Sequence, residues 1–495
     1  MNTINFIIIF CIFYYSFCLQ EDRLVFLYTH FRHGARAPFN VDEKFNDKVK
    51  EYWTNPGELT GVGQRMHYLL GLRNRIKYVT NQNFLSKKFD SHEILIYSSN
   101  TNRTLVSVSS QLQGLYPQLD KEGEILTNEQ IESACPQVDI NNEIIQKEIE
   151  NLGNSALPNY MILAPIRMIN DNDRKINVFD IKECAKERDD IRKENIEKLD
   201  IIKEETKKFN EKYGERLNNF YGIKNNEYNF SDIFDICDGF ISSYTDKRKF
   251  IEFKKIFDLE EMNNYCFEYL RIRYLYEFNG DDEKALAHVD SSKLLNEVLF
   301  YMKRRLDADM TEENEDQFYK DYSRPKMFML SGHDLSITSD IILIIKAFNL
   351  NENEIYIYPK YASQLAIEVR TKNDGNKNTK YSDYYVVGYL DDKEIFNINA
   401  EKFINNMEKE IWTTDKVDKF CGFEQTSNIV DNSDKNNNID STYKVSMIIF
   451  IFISVILLCS NIFFIYKFCK KNKSSPSIDK TIIQLNNLSA IEKNN

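Results

Sequence analysis

Three short stretches of this chain place charged and titratable groups where apolar runs end. "FRHGARAP", Phe31 to Pro38, sets His33 between Arg32 and Arg36 directly after the run "RLVFLYTH". "EILIYSS" leads into "NTNRT", which carries Arg103, and "KMFMLS" leads into "GHD", His333 and Asp334. A strand end that only packs a core has no use for such groups, whereas an anion site does. The planar guanidinium fork matches phosphate oxygens and stays charged. A helix starting at Arg103 would add backbone N–H donors and the positive end of its dipole. Together these residues describe a pocket for a dianion. Three arginines repel a cation, so His33 is better suited to be a nucleophile than a metal ligand. A neutral imidazole nitrogen attacks phosphorus and leaves a phosphohistidine. Asp334 is the available acid for the leaving alkoxide, and the arginines stabilise charge on the equatorial oxygens. The chemistry calls for no metal and no cofactor.

Each residue also has a bland role. His33 alone could cap a strand, Arg36 could form a surface ion pair, Arg103 could sit on a helix face, and Asp334 could cap the next helix. The functional reading comes from all of them standing after strands.

The elements that must bring them together follow from periodicity. In "LTGVGQRMHYLLGLRNRIKYV", Val62, Met66, Leu69, Leu70 and Ile76 recur at helical spacing. A second amphipathic helix, "RTLVSVSSQLQGLYP", stops near Pro117. This βαβα order predicts an α/β fold with a mostly parallel central sheet flanked by helices. "KMFMLS" and "GHDLSITSDIILIIKAF" add a strand and a helix, and "QLAIEVR" and "YYVVGYL" two strands read as antiparallel edge neighbours. In an open parallel sheet, ligands bind outside the carboxyl ends of the strands. The three polar loops are therefore expected on one edge. Residues 135–315 have a different texture, with charged helices such as "KERDDIRKENIEKLDIIKEETKKFNEKYGE" and few strand signals. They read as a mainly helical insert between two parts of the core, 19–134 and 316–423. The helix "SSKLLNEVLFYMKRRLDADM" directly precedes a core strand and is a candidate member of the core.

The chain has 495 residues, 42% hydrophobic, and a net charge of −12. That is enough for a sizeable core and argues against a nucleic-acid partner held by bulk charge. Residues 1–18 read as a secretory signal peptide, with an apolar segment from Phe6 to Phe13 and small residues at Ser16 and Cys18. Residues 424–444 are a polar Asn/Asp/Ser run expected to be a flexible stalk. Val445 to Tyr466 is long enough to cross a bilayer, and Lys467, Lys470, Lys471 and Lys473 put the tail, 467–495, in the cytoplasm. The expected topology is single-pass type I, with the folded part lumenal or extracellular: lysosome, other endomembrane or cell surface. "DKTII", Asp479 to Ile483, is a weak hint of lysosomal sorting. Of nine cysteines, Cys135, Cys184, Cys237, Cys266 and Cys421 lie outside the membrane segments, with no CxxC pair. They fit two disulfides and one odd thiol in an oxidising compartment. Sequons stand at Asn102 and Asn229. His30, His67, His92 and His288 are assigned structural or solvated roles, with His67 able to reach the site edge, and Glu93 a solvated one.

"RHGARAP" resembles the RHGxRxP signature of the histidine acid phosphatases, and "GHD" their distal His-Asp dipeptide. "LTGVGQRMHYLLG" is similar to the family's LTxxGxxQ helix, "SSNTNRTLVSV" to the segment with its third phosphate arginine, and "YPKYASQL" to the tract after the catalytic His-Asp helix. The resemblance runs from about Val25 to Cys421. It implies His33 as nucleophile, Asp334 as proton donor, and Arg32, Arg36, Arg103 and His333 as phosphate ligands. The implied activity is hydrolysis of phosphate monoesters. The alternatives are a narrower phosphatase (phytase or lysophosphatidic acid phosphatase) and a non-catalytic phosphate-binding receptor. A homodimer is common in similar proteins, and nothing in the chain tests it. Three departures stand out. Ala35 occupies a position that is often acidic. Gln364 replaces a frequent cysteine after YAS, which leaves Cys184–Cys421 as a family-type pair and Cys237 with Cys266 as its substitute partner. The Asn102 sequon abuts Arg103, where a glycan would block the pocket, so Asn102 is expected to be unmodified.

Overall fold

The computed structural model describes residues 22–38, 53, 55–117, 124–134, 136, 138, 140–169, 184, 187–188, 190–192, 200–224, 226–247, 254, 257–279, 286–311, 325–372 and 378–422. The signal peptide, Cys135, the stalk, the apolar segment 445–466 and the tail lie outside the described residues. None of the described helices is long and apolar enough to cross a membrane. The described residues belong to one compact unit.

In chain order the elements are β1 (Arg23–Arg32), α1 (Gly61–Asn74), β2 (Ile94–Ser99), α2 (Asn102–Leu115), α3 (Asn128–Ser133), α4 (Glu143–Leu152) and β3 (Arg167–Ile169). Then come α5 (Asp200–Phe209), α6 (Glu215–Tyr221), α7 (Phe230–Asp246), α8 (Leu259–Phe278) and α9 (Leu286–Thr311). The chain closes with β4 (Met327–Gly332), α10 (Asp334–Phe348), β5 (Gln364–Thr371), β6 (Tyr384–Leu390), β7 (Lys393–Asn399), α11 (Ala400–Glu410) and α12 (Thr414–Phe420). One seven-stranded sheet runs β3-β2-β4-β1-β5-β6-β7. The β3-β2, β2-β4 and β4-β1 pairs are parallel, and the β1-β5, β5-β6 and β6-β7 pairs antiparallel. The antiparallel wing thus has a third member, β7, beyond the two expected strands.

The central strands β1, β4 and β5 are buried on both faces, as helix-covered strands require. Alternation along β4 shows it: Met327 and Met329 join one apolar cluster with Val108 and Leu112 of α2, while Phe328 and Leu330 join another with α7–α10. The helical segment between β3 and β4 shares that second cluster, through residues such as Ile236, Phe240, Leu270 and Tyr274. Two disulfides form, both pairs as expected: Cys184–Cys421 (Cα–Cα 4.6 Å) ties the segment to the chain's later part, and Cys237–Cys266 (5.2 Å) joins two of its own helices.

Helix α1 corrects one expectation. Its buried stripe is Gly63, His67, Gly71 and Asn74, whereas Leu69 and Ile76 are more than half exposed. The cause is a very close crossing with α2. A Cβ on Gly71 would lie 2.0 Å from the carbonyl oxygen of Gln111, and one on Gly114 would lie 2.0 Å from that of Tyr68. Backbones this near leave no room for larger side chains, so the apolar ones are displaced to the flanks. Glu93 is also corrected. It is buried, paired with Lys326 at 2.6 Å and bonded to the N–H and hydroxyl of Ser86, because it sits at the start of a core strand.

Candidate active site

Parallel pairing puts the ends of β1, β4 and β2 side by side. Arg32 partners Gly332 and Ser98 partners Ser331, so the loops after all three strands leave the same edge. The N–H of His33 donates to the carbonyl of Gly332 at 3.0 Å, locking the two histidine-bearing loops together. The rings of His33 and His333 lie 5.6 Å apart. Arg103, in the first turn of α2, donates to Nδ1 of His333 at 3.2 Å across 230 residues of sequence. The six residues singled out in the sequence therefore meet at one edge. Because β5 runs antiparallel to β1, the segment entering β5 arrives there too. It brings Tyr358 and Tyr361, which sequence reasoning missed.

His33 is buried and its Nδ1 lies 2.9 Å from the carbonyl oxygen of Gly34. A carbonyl only accepts, so Nδ1 carries the proton and Nε2 keeps its lone pair. Burial, then the charges of Arg103, Arg32 and Arg36, push the imidazole pKa well below its ordinary value. The ring is thus held neutral, as a nucleophile requires. His333 is likewise pushed well down by burial and then by Arg103 and Arg36. With Nδ1 accepting from Arg103, its Nε2–H donates to Ser99 Oγ at 2.8 Å.

Each of two arginines faces a carboxylate. Arg32 is 1% exposed, yet its guanidinium sits 2.6 Å from Asp334, donates to Tyr358 OH and to the carbonyl of Pro359, and lies over the Tyr361 ring. Burial lowers its pKa, but Asp334 and the tyrosines more than offset this. Arg36 makes a bidentate pair with Asp238 of α7 at 2.9 and 3.1 Å. Asp238 is a third residue that sequence reasoning missed. Within a helical stretch dense in charge, nothing distinguishes an inward carboxylate from a solvated one. Arg103 differs in that burial, then Arg36, lowers it to about 10. Ser242, one turn after Asp238, hydrogen-bonds Tyr361 OH at 2.9 Å.

Of the histidines set aside, His67 is fully buried beneath the edge. Its ring lies 5.2 Å from Phe31 and its Nδ1 3.1 Å from Gln111 Oε1. His288 stacks on Trp412, and His92 pairs with Asp90. Gln364, which stands where a cysteine is frequent, forms a buried amide pair with Asn74 at 2.9 Å. Asn102 is exposed and donates to Glu58. Asn229 is exposed at the start of α7, where its Oδ1 caps the N–H groups of Ser231 and Asp232.

A family model described as the histidine phosphatase superfamily (branch 2) matches residues 23–387. The lysosomal acid phosphatase of Xenopus laevis is 35% identical over 98 residues, 20% of this chain and 22% of that protein. The prostatic acid phosphatase of Bos taurus is 34% identical over 101 residues, 20% of this chain and 25% of that protein. The chain thus matches no more than a quarter of the length of either relative. Among solved structures, the phytase of Hafnia alvei in complex with myo-inositol hexakis sulphate superposes with a TM-score of 0.50 at 12% identity, covering 80% of this chain and 98% of that one. That likeness concerns the fold alone.

Proposed function

We propose that this chain, which belongs to branch 2 of the histidine phosphatase superfamily, is an acid phosphatase that hydrolyses phosphate monoesters through a phosphohistidine on His33. Nε2 of His33 attacks phosphorus, the P–O bond to the alcohol breaks, and Asp334 gives its proton to the departing oxygen. Water then attacks the P–N bond, Asp334 accepts its proton, and orthophosphate leaves with the imidazole restored. Arg32, Arg36, Arg103 and His333 hold the phosphoryl oxygens throughout. The observation that carries this proposal is the neutral His33 ring with Nε2 unprotonated, beside three guanidinium groups and the carboxyl group of Asp334. A site for binding alone needs no proton donor. Because Asp334 must be protonated to donate, activity favours acidic pH. A rate profile flat into the alkaline range would count against this mechanism.

The deciding experiment is alkaline-quench trapping of labelled phosphate, because the P–N bond of a phosphohistidine survives alkali and is hydrolysed in acid. Label should appear on the wild type and be absent from His33→Ala. Stable label on the variant, or none on either, removes the mechanism. Turnover of p-nitrophenyl phosphate, phytate and lysophosphatidate, compared side by side, separates broad from narrow use.

We place the folded part in an oxidising, lumenal or extracellular compartment, preceded by a cleaved signal peptide and followed by a stalk, a single membrane span and a cytoplasmic tail. Residues 135–315 are taken as the insert that supplies Asp238. The two disulfides support the compartment. Glycosylation is assigned to Asn229, and mass spectrometry after enzymatic deglycosylation should find Asn102 unmodified.

A further inference from the structure

One more imidazole lies directly under the site, and the mechanism above does not use it. His30 of β1 is fully buried, as is Asp340 of α10. Nδ1–H of His30 donates to Asp340 Oδ2 at 2.8 Å, and Tyr28 OH donates to the same oxygen at 2.9 Å. The other ring nitrogen, Nε2, is 3.0 Å from Ser336 Oγ. Ser336 is the third residue of α10. Its Oγ accepts the His333 N–H at 3.1 Å and lies 3.0 Å from the His333 carbonyl. The single hydroxyl proton thus has two neighbouring acceptors, the His333 carbonyl and the imidazole.

Gly332 gives an independent sign of how tightly this group is built in. A Cβ there would fall 2.4 Å from His30 Nε2 and 2.7 Å from Ser336 Oγ. The imidazole and hydroxyl fill the space that a side chain at the strand end would need. A buried His–Asp pair gains little stability over an apolar pair of the same size. What it supplies is direction.

We propose that His30 is a positioning residue for the candidate active site. Through Ser336 it fixes the backbone at His333, and with it the aim of the His333 ring and the Asp334 carboxyl. Asp340 and Tyr28 orient the imidazole from behind. The role rests on the phosphatase reading above, and the test separates the two.

Full-length protein in detergent is compared as wild type, His30→Gln, His30→Asn and Ser336→Ala, with kcat and KM on p-nitrophenyl phosphate and inhibition by orthophosphate. Glutamine reaches as far as Nε2 and keeps the Ser336 link; asparagine reaches as far as Nδ1 and keeps only Asp340. His30→Gln should stay near wild type, while His30→Asn and Ser336→Ala lose about tenfold in kcat and bind orthophosphate more weakly. Equal activity of the Gln and Asn variants, or wild-type turnover by Ser336→Ala, overturns the proposal. Ser336→Ala leaves the buried carboxylate partnered, so a folding failure of the histidine variants does not remove the test. If the wild type itself turns nothing over, the phosphatase reading fails. Calorimetry with orthophosphate then decides: tighter binding by wild type than by His30→Asn sustains the positioning role, and equal binding ends it.

Discussion

The carboxylate of Asp238 holds Arg36 by two side-by-side hydrogen bonds across 202 residues of sequence. One partner belongs to the loop after the first strand and the other to α7, between β3 and β4, so the site is closed by two distant parts of the chain. A bidentate pair fixes the plane of the guanidinium as well as its position. On the proposed mechanism, an entering phosphoryl group takes over part of that contact.

Asp238→Asn tests this exchange. The substitution removes a charged partner of a buried arginine, at a cost of about 3 kcal/mol. The melting temperature should fall, and saturating orthophosphate should raise it more in the variant than in wild type. Equal phosphate-induced shifts would show that Asp238 and ligand do not share Arg36.

Acidification should weaken the fold in a defined window. His33, His67 and His333 are buried and lowered, His67 to about 4, chiefly by burial. Unfolded, each binds a proton near its ordinary pKa of about 6.5. Below that point the unfolded chain holds more protons than the folded one, so stability falls as pH falls. His67 contributes down to about 4. Each such histidine costs about 1.4 kcal/mol per pH unit in the window. Denaturant titrations of His67→Gln between pH 6 and pH 4.5 should show a slope shallower by about that amount. An unaltered slope would mean that His67 is not neutral in the folded protein.

Cys237 immediately precedes Asp238, and its bond to Cys266 joins α7 to α8. Replacing both by serine should lower stability by about 3 kcal/mol through the freed unfolded chain. It should also raise KM, because the helix that aims Asp238 loses an anchor. Wild-type KM in the double variant would confine the disulfide to stability.

Gly71→Ala forces α1 and α2 apart, since the added carbon meets the Gln111 carbonyl. Arg103 rides on α2. Stability should therefore drop by about 2 kcal/mol and kcat/KM should fall with it. A crystal structure with the helix crossing unchanged would contradict this.

Much of the molecule was legible in its sequence because strand ends and chemistry coincide there. β1, β2 and β4 are apolar runs that stop at His33, Arg103 and His333, and parallel pairing does the rest. β3 was not legible, since three residues carry no period. β7 alternates polar and apolar only weakly, and its turn uses Asp391 and Asp392 at positive φ instead of a glycine. Asp238 was hidden by its charged neighbourhood. His30 looked like ordinary strand filling, and only the register of β1 against β4 sets it beside Ser336.

The first strand lies between β4 and β5, whose residues paired with it stand three hundred or more positions later. A nascent chain carrying His33 has neither of its sheet neighbours to join until residues 327–371 have left the ribosome. On the proposed mechanism its nucleophile therefore emerges beside Arg32 and Arg36 but without acid and without an enclosing wall. Catalytic competence on that mechanism arrives only once Asp334 and β5 have been made, and any fragment ending before Asp334 should be silent toward phosphate esters.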